Sequence, residues 1–195
     1  QPGAGLNPLK SIKSLLLARR TERVRKIDGF VIRGREIGYI DENVFKEDPN
    51  RLIRVFRHTQ QHKLALDLDL SSLIRESAGL IDDSVRESSD ANLSFRTILQ
   101  ESGDVYPTLK LMHSHGIIGK FVPEWDRLTC LVQHEYYHRY TADEHTLNTI
   151  LELDNIFSSS DPIYERYRNE VHELRLPNLI YLILFLHDIG KGQSI

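Results

Sequence analysis

The stretch from Leu179 to Leu186 constrains the fold more than any other, because every residue in it is apolar. A helix that is apolar on all sides is typical of a buried element, since a surface helix keeps one polar face. Pro177 lies just before this stretch, at the start of the helix, where proline is favoured. The pattern therefore predicts a buried final helix that presents His187 and Asp188 at its end.

His187 and Asp188 are the first candidates for metal ligands. A neutral imidazole beside an ionised carboxylate suits a divalent cation of intermediate hardness. Gly190 and Gly192 end the helix and let backbone approach a ligand closely, and Lys191 supplies a positive charge that suits an anionic substrate. The alternative is an ordinary helix end with a capping His and a solvated Asp, because both residue types are common on protein surfaces.

Composition bounds the class of protein. The chain has 195 residues, enough for one or two domains with a sizeable core, and its 40% apolar and 27% charged residues are ordinary for a globular protein. A net charge of -3 gives no basic excess for nucleic acid, and the final apolar stretch is too short to span a bilayer. The single cysteine, Cys130, cannot form an internal disulfide, which fits a reducing compartment. We therefore expect a cytoplasmic protein without nucleic-acid or membrane partners.

The rest of the chain is predicted to be almost entirely helical. Amphipathic stretches with capping residues follow one another, and only residues 30–40 show a pattern typical of strands, with a turn near Gly34. The expected fold class is all-α: a helical bundle with at most one short β-hairpin near residues 30–40. Helices are predicted for 8–27, from Pro49, from Asp69 to about 87, from Ser88, from Pro107 to 115, from Pro123, for 142–157, for 163–174 and from Pro177.

Residues 134–138 read His-Glu-Tyr-Tyr-His, a literal match to the H-E-x-x-H signature of zinc proteases. On one helix, His134 and His138 would share a face and could chelate zinc. A third ligand would have to be Glu165 or Glu170, both of which lie beyond the polar loop at 158–162. A zinc-dependent protease is therefore kept as a remote alternative.

Thr141 and Glu144 have the pattern of a capping box, in which an N-cap Thr is followed by Glu at the third helical position. This pattern predicts that one helix ends near Tyr140 and that another begins directly after it. His145 then falls in the first turn of the new helix.

Residues 187–191 read His-Asp-Ile-Gly-Lys and resemble the doublet that names the HD superfamily of metal-dependent phosphohydrolases. That superfamily has an earlier metal-binding His on a preceding helix, which His145 matches, and a later Asp. Residues 133–147 narrow the resemblance to one branch, the bifunctional uridylyltransferase/uridylyl-removing enzymes. Residues 45–56 and 115–125 are similar to the linker region of that branch, so the resemblance runs from about residue 30 to the end.

The resemblance implies three parts in this chain. Residues 1–28 are expected to be an N-terminal helix at a mid-protein start, 29–122 a helical linker region with the short hairpin, and 123–195 the truncated N-terminal part of an HD-type helical domain. The family's nucleotidyltransferase domain, its regulatory ACT domains and its later metal-binding Asp are not found in these residues. We therefore expect a bifunctional parent protein and a fragment that is inactive by itself.

The resemblance also implies roles for the site residues. His145, His187 and Asp188 are expected to bind one divalent ion, Mn²⁺ or Mg²⁺, which polarises a phosphoryl oxygen and activates water. Lys191 is expected to be the catalytic residue that offsets negative charge on the phosphoryl oxygens.

The reaction implied is a metal-dependent phosphodiester hydrolysis, the removal of UMP from a tyrosine of the uridylylated nitrogen-signalling protein PII. UMP, UTP and glutamine are the implied ligands of the parent protein. His134 and His138 are expected to contact the substrate or to support the metal ligands, with a purely structural role as the alternative. The competing interpretation is a non-catalytic helical linker that binds a partner and carries a vestigial His-Asp pair.

Overall fold

The computed structural model describes residues 24–129, 141–173, 176 and 178–191 of the chain. Within these residues, a small sheet is followed by a series of packed helices. The strands are β1 Arg25–Ile27, β2 Phe30–Arg33, β3 Glu36–Tyr39 and β4 Ala65–Leu66. The helices are α1 Val44–Glu47, α2 Arg51–His62, α3 Leu68–Ser77, α4 Asp83–Glu87, α5 Ser89–Ile98, α6 Tyr106–Ser114, α7 Ile117–Phe121, α8 Pro123–Asp126, α9 Ala142–Ser158, α10 Pro162–His172 and α11 Asn178–Leu186, with a 3₁₀ turn at Ala78–Leu80.

The sheet has four strands in the order β1-β2-β3-β4. The all-α prediction with at most one hairpin was therefore wrong about the sheet, although the chain is mostly helical as predicted. Strands β2 and β3 form the expected hairpin, and Gly34, with a φ of 60°, takes the first position of its two-residue turn. Strand β1 joins β2 through the tight turn at Asp28 and Gly29, which both have positive φ. Strand β4 pairs in parallel with β3.

The two additional strands have no signal in the sequence. Strand β1 occupies residues that were predicted to end the 8–27 helix, and residues 1–23 of that helix lie outside the described part of the chain. Strand β4 is only two residues long, so it has no periodicity to read. It forms because the chain returns alongside β3, where Ala65 N–H donates to Arg35 O at 2.8 Å and Asp67 N–H donates to Ile37 O at 3.0 Å.

Helix starts are predicted better than helix lengths. Ser88 caps α5 as expected, and Asp67, two residues before the predicted cap, accepts from Leu70 N–H at 2.7 Å at the start of α3. The helix that was predicted to run to about residue 87 ends at Ser77 instead. A 3₁₀ turn follows, and α4 begins after Asp82, whose carboxylate accepts from Val85 N–H at 3.2 Å.

Asp28 connects the sheet to the first long helix. Its carboxylate accepts hydrogen bonds from Arg54 at 2.6 and 2.9 Å and from Arg51 at 3.3 Å, and both arginines belong to α2. Burial alone raises the pKa of Asp28, but the hydrogen bonds and positive charge of the arginines outweigh it and hold the pKa below its usual value. The β1–β2 turn is therefore fixed to α2 by paired charges.

One apolar core joins the sheet to the last helix. In α11, Tyr181 and Phe185 are buried, and the Phe185 ring stacks on Trp125 with centroids 4.7 Å apart and planes 7° apart. The other side of α11 is exposed at Leu179, Ile183 and Leu186. The prediction of a fully buried helix is therefore right for one face and wrong for the other. None of the described helices is long and apolar enough to span a membrane.

Two buried histidines make the folded chain sensitive to mild acid. His115 Nδ1–H donates to Leu111 O, and Nε2 accepts from the Ser71 hydroxyl, each at 2.8 Å. Burial lowers the pKa of His115 below its usual value of 6.5, and burial also lowers the pKa of His58. Because the unfolded imidazoles bind protons that the folded ones do not, stability is lost as the pH falls below about 6.5.

We expect His115 to contribute to a fall in the free energy of unfolding between about pH 7.5 and about pH 5.5. In His115→Gln, which keeps polar atoms but does not titrate, this contribution should be absent. Urea unfolding of both proteins at both pH values measures it. The substitution also lowers stability at either pH. The quantity to compare is therefore, for each protein, the difference between its free energies of unfolding at the two pH values. Equal differences would contradict the prediction.

Candidate metal centre

Helix α9 presents His145. The helix begins at Ala142, as predicted, and Thr141 has the extended backbone of an N-cap residue, with its carbonyl accepting from His145 N–H at 2.8 Å. The expected capping box is not formed, because the Thr141 side chain makes no capping hydrogen bond. Glu144 instead accepts from the Lys110 ammonium of α6 through both carboxylate oxygens, at 2.5 and 2.8 Å.

The end of α11 presents His187 and Asp188. The His187 side chain is partly exposed, and the Asp188 side chain is buried. His187 Nδ1 lies 2.6 Å from Leu184 O, which assigns the ring proton to Nδ1 because a carbonyl can only accept. The Nε2 lone pair is then available to a metal ion, and a backbone carbonyl that orients a ligating imidazole in this way is typical of metal sites.

The three residues converge, although they come from two helices. One ligand atom from each of His145, His187 and Asp188 lies within 4.8 Å of the others. The two imidazole rings have centroids 5.7 Å apart and planes inclined at 62°. We refer to these three residues as the candidate triad, which is the set of ligands predicted from the sequence.

The donor atoms of the candidate triad fit a divalent cation. When the His187 imidazole is neutral, its Nε2 and Asp188 Oδ1 are two acceptors only 3.3 Å apart, an arrangement that a shared cation stabilises. Asp188 Oδ2 is buried and has no hydrogen-bond partner among the described residues, and such an orphaned carboxylate oxygen is costly. Two nitrogens and one carboxylate oxygen also match the ligand preference of ions of intermediate hardness.

Lys191 lies beside the candidate triad. Its ammonium is 2.9 Å from Asp188 Oδ1, and its side chain is partly exposed. The structure therefore brings Lys191 to the site, where its charge first offsets that of the Asp188 carboxylate. Its action on a substrate remains a prediction. His134 and His138 lie outside the described residues, and so does the boundary predicted near Tyr140.

A layer of contacts behind the triad was missed by sequence reasoning. Trp125 Nε1–H donates to His113 Nδ1 at 3.3 Å, so His113 Nε2 carries the proton that it directs to Asp143 Oδ2 at 3.2 Å. Asp143 is buried and lies two residues before His145. The sequence offers no signal for this pairing, because the partners lie on different helices and no local pattern relates them.

Comparison with known proteins shows which enzymes this chain is similar to. Residues 30–121 match the family described as uridylyltransferase GlnD third domain. A bifunctional uridylyltransferase/uridylyl-removing enzyme from Novosphingobium aromaticivorans is 32% identical over 182 residues, which is 93% of this chain and 20% of that enzyme. Enzymes of the same name from Rhodopseudomonas palustris and Nitrobacter hamburgensis are 33% and 34% identical over 90% and 88% of this chain, and 19% and 18% of their own lengths.

The chain thus spans about a fifth of the length of these relatives. Over most of its own length it is similar to one region of the uridylyltransferase/uridylyl-removing enzymes, and this region includes their third domain. The resemblance that the sequence predicted is confirmed at this level.

The start of α9 yields a stability prediction. Because the Thr141 side chain makes no capping hydrogen bond, Thr141→Ala should lower the free energy of unfolding by less than about 0.5 kcal/mol. Asp67→Ala removes a carboxylate that does cap a helix, at 2.7 Å from Leu70 N, and should cost about 1 kcal/mol. Urea unfolding of both variants compares them. An equal or larger loss for Thr141→Ala would show that its hydroxyl caps α9 in solution.

Proposed function

We propose that this chain is part of a bifunctional uridylyltransferase/uridylyl-removing enzyme, and that α9 and the end of α11 carry the ligands of an HD-type phosphohydrolase site. The observation that carries the proposal is the convergence of His145, His187 and Asp188 within 4.8 Å. The similarity of the chain to a region of enzymes with this name supports the choice of substrate. On this proposal, the site removes UMP from a tyrosine of uridylylated PII.

The candidate triad would hold one divalent ion, Mn²⁺ or Mg²⁺. Such an ion polarises a phosphoryl oxygen and lowers the pKa of bound water, which is the chemistry that phosphodiester hydrolysis needs. His187 is oriented for this task by Leu184 O, and Asp188 by Lys191. A further carboxylate from elsewhere in the parent enzyme would strengthen binding, so the isolated chain is expected to be inactive.

Two further features would assist the hydrolysis: the positive charge of Lys191 and the tyrosinate leaving group. The Lys191 side chain is exposed enough to reach a bound phosphoryl group and to offset the negative charge that develops on its oxygens. The bond broken is the one between phosphorus and the tyrosine oxygen, and water supplies the new oxygen on phosphorus. The phenol of tyrosine has a pKa of about 10, so tyrosinate is a good leaving group and does not need a strong general acid.

The uridylyl-transfer activity is assigned to a part of the parent enzyme outside this chain. The relatives are named for two activities, and the chain spans only about a fifth of them. PII, UMP, UTP and glutamine are accordingly proposed as ligands of the whole enzyme. The two activities can therefore be separated by mutation.

The first test replaces the two ligands at the end of α11. Asp188 is buried, so the conservative pair His187→Gln and Asp188→Asn disturbs the packing less than alanine would. In the full-length enzyme this double variant should reduce release of UMP from uridylylated PII by at least about 100-fold. Uridylyl transfer should stay near the wild-type rate.

Its control is the pair His62→Gln and Asp69→Asn, which makes the same chemical changes at exposed positions of α2 and α3. Both activities should be unchanged in this control, and circular dichroism should report the same helix content in all three proteins. Wild-type release of UMP by the His187/Asp188 variant would refute the hydrolase assignment and favour a non-catalytic linker.

The second test follows the metal itself. Because the candidate triad exists only in the folded protein, Mn²⁺ should stabilise the full-length enzyme by about 2.7 kcal/mol when its free concentration is about 100 times the Kd. Unfolding monitored after EDTA treatment and after Mn²⁺ addition measures this difference. The His187/Asp188 variant should show no increase. An equal increase in that variant would place the ion at another site.

A further inference from the structure

A buried hydrogen-bond cluster links the two helices that carry the candidate triad. Tyr181 of α11 donates its hydroxyl proton to Asp154 Oδ1 of α9 at 2.7 Å. The same hydroxyl accepts from Gly103 N–H at 2.9 Å, and Asp154 Oδ2 accepts from Tyr106 N–H at 2.7 Å. Asp154 is 4% exposed and Tyr181 is fully buried. The residues Gly103 to Tyr106 therefore hold both helices at once.

The cluster joins the region that matches the third-domain family to the part of the chain that follows it. The residues Gly103 to Tyr106 belong to the region that matches the third domain of uridylyltransferase, which ends at residue 121. Asp154 and Tyr181 lie beyond that region, on the helices of the proposed metal centre. The contact is close, because a Cβ added at Gly103 would lie 3.3 Å from the Phe157 side chain.

Because the cluster is buried, each of its polar groups needs its hydrogen-bond partner. Burial raises the pKa of Asp154, and burial followed by the bond to Asp154 raises the pKa of the Tyr181 hydroxyl. The hydroxyl donates one hydrogen bond and accepts one, and each Asp154 oxygen accepts one of the hydrogen bonds described above. Removal of the hydroxyl would leave a backbone N–H and a carboxylate oxygen without partners, and buried groups do not tolerate this.

Helix α6 contacts α9 at its other end too. Lys110 pairs with Glu144 at 2.5 Å, and His113 Nε2 lies 3.2 Å from Asp143 Oδ2. Both acidic residues lie directly before His145 in the first turn of α9. Helix α6 therefore holds α9 on both sides of its metal-ligand candidate.

We propose that the third domain positions the metal centre through this cluster, with Tyr181 and Asp154 as positioning residues that set the spacing between α9 and α11. The inference rests on the proposed function, because it concerns the same ligands. His145 and His187 approach each other only if the two helices keep their register. The Tyr181–Asp154 bond fixes that register from within the core, and Gly103 and Tyr106 fix the bond.

The test uses Tyr181→Phe in the full-length enzyme. The aromatic ring, which stacks on Phe157 with centroids 6.0 Å apart, is retained, and only the hydroxyl is lost. The Kd for Mn²⁺ alone is measured from the electron paramagnetic resonance signal of free Mn²⁺, at a temperature where circular dichroism shows a folded protein. We expect the Kd to rise about tenfold, as for other residues that support metal ligands. The variant should also release UMP more slowly than the wild-type enzyme, and excess Mn²⁺ should largely restore the rate.

Tyr164→Phe is the matched control. Its hydroxyl also bonds to a carboxylate of α9, donating to Glu152 Oε2 at 2.9 Å, but the pair is exposed and does not involve α11. The Kd for Mn²⁺ should be the same in this variant as in the wild-type enzyme. A tenfold rise here would overturn the assignment of the effect to the buried cluster.

The outcomes separate this inference from the proposed function. If Tyr181→Phe lowers the Tm but keeps the wild-type Kd, the cluster is only structural and the inference fails while the metal centre stands. If the wild-type enzyme does not bind Mn²⁺, both fail together. If Tyr181→Phe does not fold, Asp154→Asn, compared with Glu152→Gln, decides by the same Kd measurement.

Discussion

The packing of α11 against the core is the contact on which the candidate site depends. The Phe185 ring stacks on Trp125, and the Tyr181 hydroxyl bonds to Asp154. His187 and Asp188 follow directly, so their positions are inherited from these buried rings. Since a core packed at high density allows little displacement, two side chains at a helix end can face His145 of α9 at a defined distance.

The sequence predicts those parts of the fold that are specified locally. Apolar periodicity locates α5 and α9, and the Ser88 cap locates the start of α5, because both signals act within a few residues. The sheet is different. Strand β4 exists only through its pairing with β3, and β1 carries basic residues that are equally typical of a helix end. The break between α3 and α4 was missed for a similar reason, since an amphipathic pattern continues through it.

The candidate triad could be predicted from the sequence, whereas the contacts that support it could not. The three residues were predicted as a set because their residue types and order match a family pattern, and the structure brings them together. The partners that hold them could not be predicted, since Gly103 and Tyr181 are far apart in the chain and meet only in the folded state. The interpretation of the motif at 134–138 stays a prediction, because those residues lie outside the described part of the chain.

The side chains of the site are held in place by the packing of their helices more than by attraction between the side chains themselves. Asp188 is buried, one of its oxygens lacks a partner within the described part of the chain, and its other oxygen lies 3.3 Å from His187 Nε2. Lys191 offsets part of this cost by pairing with the carboxylate at 2.9 Å. The helices that impose this arrangement are held by aromatic contacts and by the Asp154 cluster, all of which are independent of a cation. A bound ion would therefore add to contacts that do not include it, unlike the small zinc domains in which the metal supplies the folding energy.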